Sequence, residues 1–68
     1  MNVTFTFPDG VTKKYSGITE DSKFRGLRIN GSRPTRADIE GHNVPDAFII
    51  AVEMVLKPGG RALVHTRD

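Results

Sequence analysis

Asn43-Val-Pro-Asp-Ala-Phe-Ile-Ile-Ala-Val-Glu-Met-Val-Leu-Lys-Pro-Gly-Gly60 carries a start signal, an apolar body and a stop signal. Asn43 can accept a capping hydrogen bond, and Asp46 places charge beside the positive end of a helix dipole. Pro45 falls in the first turn, where a missing N–H costs nothing. Pro58 cannot continue a helix, and Gly59 or Gly60 can take the left-handed exit, with Lys57 beside the last carbonyls. At helical spacing Val44, Phe48, Ala51, Val52, Val55 and Leu56 form one broad face, with Ile49 at its margin. Asp46, Glu53 and Lys57 form a narrow polar strip opposite. Ile50 falls inside that strip, and Met54 and Ala47 flank it. Ile49, Ile50, Val52 and Val55 are β-branched and suit a strand almost as well. The length and the two prolines favour one helix over about residues 44–57. Two readings of its far side stand. Either the helix is buried nearly all round, or Ile50 and Met54 are exposed and dock a partner or a second copy, giving a homodimer.

The preceding sequence supplies strands. Residues 2–7 alternate, with Val3, Phe5 and Phe7 on one face and Asn2, Thr4 and Thr6 on the other. Residues 11–16 alternate again after Pro8-Asp9-Gly10, which predicts a β-hairpin. A two-residue Asp9-Gly10 loop would pair Phe7 with Thr12 and mix the faces. A three-residue loop pairs Phe7 with Val11, Phe5 with Lys13 and Val3 with Tyr15. It also sets Pro8 and Asp9 in a type I turn with Gly10 at the left-handed bulge position, so it is preferred. The inward face is then Val3, Phe5, Phe7, Val11 and Tyr15. Lys13 is the exception, and it either snorkels at a sheet edge or reaches a site.

Phe24 to Asn30 is read as a third strand, weakened by Gly26. Asn30-Gly31 is a turn signal, and Pro34 would confine any returning strand to an edge. Residues 32–43 read as an irregular loop with a possible helical turn at 36–40. Arg61 to Thr66 is the last strand. The order is β-β-β-α-β. The expected class is α+β, a small single-layer antiparallel sheet packed on one helix, in one domain spanning residues 1–68.

The chain has 68 residues, no cysteine and a net charge of +2. A disulfide framework and a thiolate metal site are excluded. No apolar run approaches the ~18 residues that span a bilayer, and no signal peptide opens the sequence, so a cytoplasmic protein without membrane partners is expected. Charge is polarised along the sequence. Residues 22–37 carry Lys23, Arg25, Arg28, Arg33 and Arg36 with no acid, while residues 38–53 carry Asp38, Glu40, Asp46 and Glu53 with no Lys or Arg.

Val3-Thr-Phe-Thr-Phe-Pro-Asp-Gly-Val-Thr-Lys-Lys-Tyr-Ser-Gly-Ile-Thr19 resembles the opening hairpin of TGS domains. These are β-grasp modules of threonyl-tRNA synthetases and some GTPases. The resemblance covers about a quarter of the chain and implies RNA or ribosome-linked partners. A TGS domain places its helix directly after this hairpin, whereas Ile18 to Phe24 is too short and charged for one. Val55-Leu-Lys-Pro-Gly-Gly-Arg-Ala-Leu-Val64 is similar to the late helix-to-strand corner of class I S-adenosylmethionine-dependent methyltransferases. The glycine-rich cofactor loop of those enzymes is missing, so no activity or cofactor is carried over.

A catalytic kit is not visible. The serines of this chain sit in turns without a nearby His–acid pattern, and His42 and His65 lack ligand-like spacing. Asp38 and Glu40 read as a solvated loop start rather than a carboxylate pair. No enzyme activity and no cofactor are expected. What remains is a set of cations: Arg25, Arg28, Arg33 and Arg36 on a strand and turn, with Lys13 and Lys14 in the hairpin. Planar guanidiniums suit phosphates and carboxylates, and Phe24 or Tyr15 could stack a base. A charged strand edge that blocks unwanted pairing is the plain alternative. The function expected is a non-enzymatic binding module for an anionic macromolecule, nucleic acid or nucleoprotein. The alternative is a small protein-binding inhibitor or adaptor of the kind phages and mobile elements encode.

Overall fold

A computed structural model of the chain describes residues 1–19, 21, 24 and 26–66. Its elements are β1 (Asn2–Thr6), β2 (Thr12–Tyr15), β3 (Arg36–Glu40), α1 (Asp46–Val55) and β4 (Arg61–His65). The order β-β-β-α-β is the expected one, and the class is α+β. In space the strands lie β2-β1-β3-β4. β1 runs antiparallel to β2 and to β3, but β3 and β4 are parallel. The sheet is therefore mixed rather than wholly antiparallel. The reason lies in α1: a helix between neighbouring strands carries the chain back to the end where the first strand began.

The hairpin forms in the three-residue register. Val3 faces Tyr15 and Phe5 faces Lys13. Phe7 N–H donates to Val11 O and Gly10 N–H to Phe7 O, both at 2.9 Å, with Gly10 at φ +87°. The Asp9 carboxylate accepts from Val11 N–H at 3.1 Å. Val3, Phe5 and Phe7 are buried, Tyr15 is half-buried and Val11 is exposed.

The third strand is not Phe24–Asn30. Gly26 takes φ +65° and turns the chain there. Phe24 and Leu27 then fold onto the core as a cover, and only Ile29 makes a bridge, to Ser32. The strand is Arg36–Glu40, expected as loop or helical turn. Ala37 and Ile39 point into the core, while Arg36, Asp38 and Glu40 face outward. That alternation suits a central strand with one open face. Pro34 does not block it, because it ends before the strand: Pro34 is fully buried and its carbonyl accepts from Lys57 N–H at 2.8 Å.

The helix covers one face of the sheet. Phe48, Val52 and Leu56 join Val3, Phe5, Phe7, Leu27, Ala37 and Ile39 in one core. It is two residues shorter at each end than expected, and Asn43 is not its cap. Asn43 is left-handed at φ +50°, and Pro45 takes the N-cap position without a side-chain cap. Pro45 O accepts from Phe48 and Ile49 N–H. At the exit Lys57-Pro58-Gly59-Gly60 closes a turn, with Gly59 at φ +85° and Gly60 N–H on Lys57 O at 2.8 Å. The helix is not buried all round: Ile50 is 58% and Met54 73% exposed. α1 follows β3 rather than the hairpin, so the order of elements departs from that of a TGS domain. Among the described residues no helix is long and apolar enough to cross a membrane.

Candidate anion-binding groove

Asn30 and Gly31 both have positive φ, +52° and +76°, as a type I′ turn requires. Ile29 and Ser32 exchange both backbone hydrogen bonds across it, each at 3.0 Å. Arg28 and Arg33 are the next residues on the two departing arms, so the turn sets them side by side. Among the described residues neither guanidinium has a carboxylate or hydrogen-bond partner. Directly opposed like charges cost about 0.2–1 kcal/mol, so this pair gives the fold nothing by its charge.

Both arginines line one groove of about 200 Å³ with Phe24, Leu27, Met54 and Val55. Phe24 fixes its floor. That ring packs edge-on against Phe5 at 5.1 Å, Tyr15 at 5.4 Å and Phe48 at 6.3 Å. It thus ties the 24–33 segment to β1, β2 and α1 together. This use replaces the base-stacking role considered for Phe24 and Tyr15, since each presents its ring to the other aromatics. Asn30 Nδ2 also reaches the Asp9 carboxylate at 3.5 Å. Met54 forms the exposed lip. The result is a groove lined by two arginines that have no acidic partner among the described residues.

The remaining cations lie elsewhere. Arg36 is on the open face of the sheet and is bound to Asp38, through Nε at 3.1–3.2 Å and Nη2 at 3.0 Å. His65 Nε2 meets the same carboxylate at 2.9 Å. Partial burial pushes the Asp38 carboxyl up, but the bonds from His65 and Arg36, and their charge, outweigh it and hold it below its ordinary value. Asp38 is therefore a clasp between β3 and β4, not part of a solvated loop. Lys14 projects on the open face opposite Thr4, and Arg61 lies beside Arg36. Lys13 is on the helix side at the sheet edge, with its ammonium 5.6 Å from the Tyr15 ring centre, the snorkelling arrangement. Arg25 lies outside the described residues. Of the six expected site residues, the fold brings Arg28 and Arg33 together and separates Lys13, Lys14 and Arg36 from them.

Two parts of this arrangement escape a reading of the sequence. Met54 and Val55 reach the groove only because α1 packs beside the 24–33 segment. The Asp38–His65 contact spans 27 residues, though the alternation Arg-Ala-Asp-Ile-Glu was a usable signal for the strand that makes it. A wider depression of about 340 Å³ lies among Met1, Asn2, Glu40, Gly41 and His42, without paired cations. No protein-family model, curated protein or solved structure matches the chain.

Proposed function

We propose that the chain is a non-enzymatic binding module for nucleic acid, free or within a nucleoprotein, and that Arg28 and Arg33 are its anion contacts. The observation that carries this reading is the arginine pair itself. Arg28 and Arg33 flank one tight turn and line one groove, without an acidic partner among the described residues. A phosphate satisfies both cations, and Met54 and Val55 offer apolar surface to the sugar beside it. Arg36 is already committed to Asp38 and contributes less.

The test is the titration of a labelled single-stranded oligonucleotide at a series of salt concentrations. Each phosphate contact removed should lower the slope of log affinity against log salt by about 0.7. Arg28→Gln and Arg33→Gln should each show that change, and Arg36→Gln a smaller one. Affinity that persists at about 0.5 M salt, or glutamine variants that bind like the parent, would overturn the proposal.

One observation favours a second reading, a protein-binding inhibitor or adaptor of phage type: the exposed Ile50 and Met54 on α1. It predicts a protein partner retained after nuclease treatment, and lost with Met54→Lys while Arg28→Gln keeps it.

A further inference from the structure

The two edges of the sheet are built differently. β2 carries Lys13 and Lys14 along its free edge, a charge pattern that discourages pairing with another strand. β4 has no such guard in its middle. Its sequence is Arg61-Ala-Leu-Val-His65, and Leu63 and Val64 are 36% and 41% exposed, on opposite faces. No proline and no lysine interrupts it.

The backbone is poised for pairing. Arg61 N–H donates to Thr35 O, and His65 O accepts from Gly41 N–H, so residues 61, 63 and 65 turn their backbone groups toward β3. By alternation Ala62 and Val64 turn theirs to the open edge. We infer that this edge pairs antiparallel with β4 of a second copy, on a two-fold axis at Leu63, giving a homodimer with one continuous sheet.

That register pairs the whole of β4 with its image, which no neighbouring register does. Ala62 faces the partner copy's Val64, so the outward groups of both residues are satisfied in hydrogen-bonded pairs, with a small side chain against a larger one. The two Leu63 residues form the closer, non-hydrogen-bonded pair at the centre. Arg61 meets the His65 of the other copy, whose ring binds the Asp38 carboxylate. An axis at Ala62 would oppose the Val64 groups to Gly60, and an axis at Val64 would oppose those of Ala62 to Thr66. Either shift leaves Leu63 without its own image. An isologous contact demands this kind of symmetry, and a core as small as this one gains from the added burial. The second copy belongs here rather than on the helix, because Met54 is the lip of the arginine groove.

Sedimentation equilibrium tests the inference, together with two edge variants and one cross-link. The parent chain should be a dimer. Val64→Pro removes an outward N–H and leaves the bonds to β3 intact, so it should raise the dissociation constant at least about tenfold with the circular dichroism of the monomer retained. Leu63→Lys should do the same by placing like charges at the axis. The chain has no cysteine, so Leu63→Cys should oxidise to a single covalent dimer, whereas Lys13→Cys should not. A parent chain that stays monomeric near millimolar concentration, open-ended assemblies, or dimers indifferent to both edge variants would each overturn the inference. So would a foreign protein strand that occupies β4 while the chain alone stays monomeric.

Discussion

Replacing Phe24 with alanine should loosen the groove before it unfolds the sheet. The ring makes three edge-on aromatic contacts, to Phe5, Tyr15 and Phe48, at 5.1, 5.4 and 6.3 Å. At the low end of ~0.5 kcal/mol each these contribute ~1.5 kcal/mol beyond burial. The ring is half-buried, so lost transfer from water adds a further ~1–1.5 kcal/mol, about half the value for full burial. The expected loss is therefore about 2.5–3 kcal/mol, a large share of the roughly 3–10 kcal/mol that a chain of this size commands. Urea denaturation gives the total. Native-state hydrogen exchange gives its location: the Ile29 and Ser32 amides, which bond only across the turn, should lose protection more than the amides of β1 and β3. Phe24→Leu should recover about half the stability, because it keeps most of the apolar area but none of the ring geometry. A loss below about 1 kcal/mol, or one spread evenly over all amides, would refute the idea that this ring anchors the 24–33 segment.

Gly60→Ala should destabilise by about 1–3 kcal/mol in thermal melts, because a Cβ there would lie 2.9 Å from Thr35 O, 3.0 Å from Lys57 O and 3.0 Å from the Leu56 Cβ. Gly31→Ala should cost about 1 kcal/mol through its φ of +76° alone, since among the described residues nothing beyond its chain neighbours lies within 4 Å of the new methyl group, and oligonucleotide affinity should fall with it. Asp38→Asn should change the acid limb of stability. The Asp38 carboxyl is held below its ordinary value, so its contribution is present above that value and disappears as pH falls through the lowered one. Melting temperatures of parent and variant should therefore differ near neutrality and converge in acid. With Asp38 25% exposed the difference should stay within about 1 kcal/mol.

Sequence pattern was sufficient where one physical demand acted alone. The Pro8-Asp9-Gly10 turn admits one register that keeps Val3, Phe5 and Phe7 on a single face, and that register forms. The helix body likewise follows from the spacing of Phe48, Val52 and Leu56. Pattern failed where two demands competed. Phe24, Leu27 and Ile29 have the composition of a strand, but Gly26 at φ +65° breaks the pleat and the side chains cover the core instead. Arg36–Glu40 has the composition of a loop because the sheet has an open face, and three charged residues point into water from its central strand. The direction of β4 depends on which strand precedes the helix, so placing the third strand early also concealed the parallel pair. At the site, proximity in sequence gave Arg28 and Arg33 but could not separate them from Arg36, whose charge is spent on Asp38 two residues away.

The groove and the open edge lie on different sides of the molecule, and this makes their combination testable. Phe24 sits above Phe5 of β1, whereas the free edge belongs to β4, two strands away. Antiparallel pairing of β4 with its copy places both helices on the same face of the joined sheet. The two β1 strands would then stand five strand spacings apart, roughly 24 Å at ~4.8 Å each, with both arginine pairs facing the same side. A short oligonucleotide can occupy only one groove. A longer one reaches both, and the second contact becomes intramolecular, which strengthens binding by about 10²-fold or more without any new interaction. Affinity measured against oligonucleotide length should therefore rise gently and then step upward once the strand spans that distance. In Val64→Pro the step should vanish while the affinity for short strands is unchanged. A smooth length dependence in the parent chain would show that the grooves act singly, and a step that survives in Val64→Pro would place the second contact on one chain, with the open face around Lys14 and Arg61 the surface to examine.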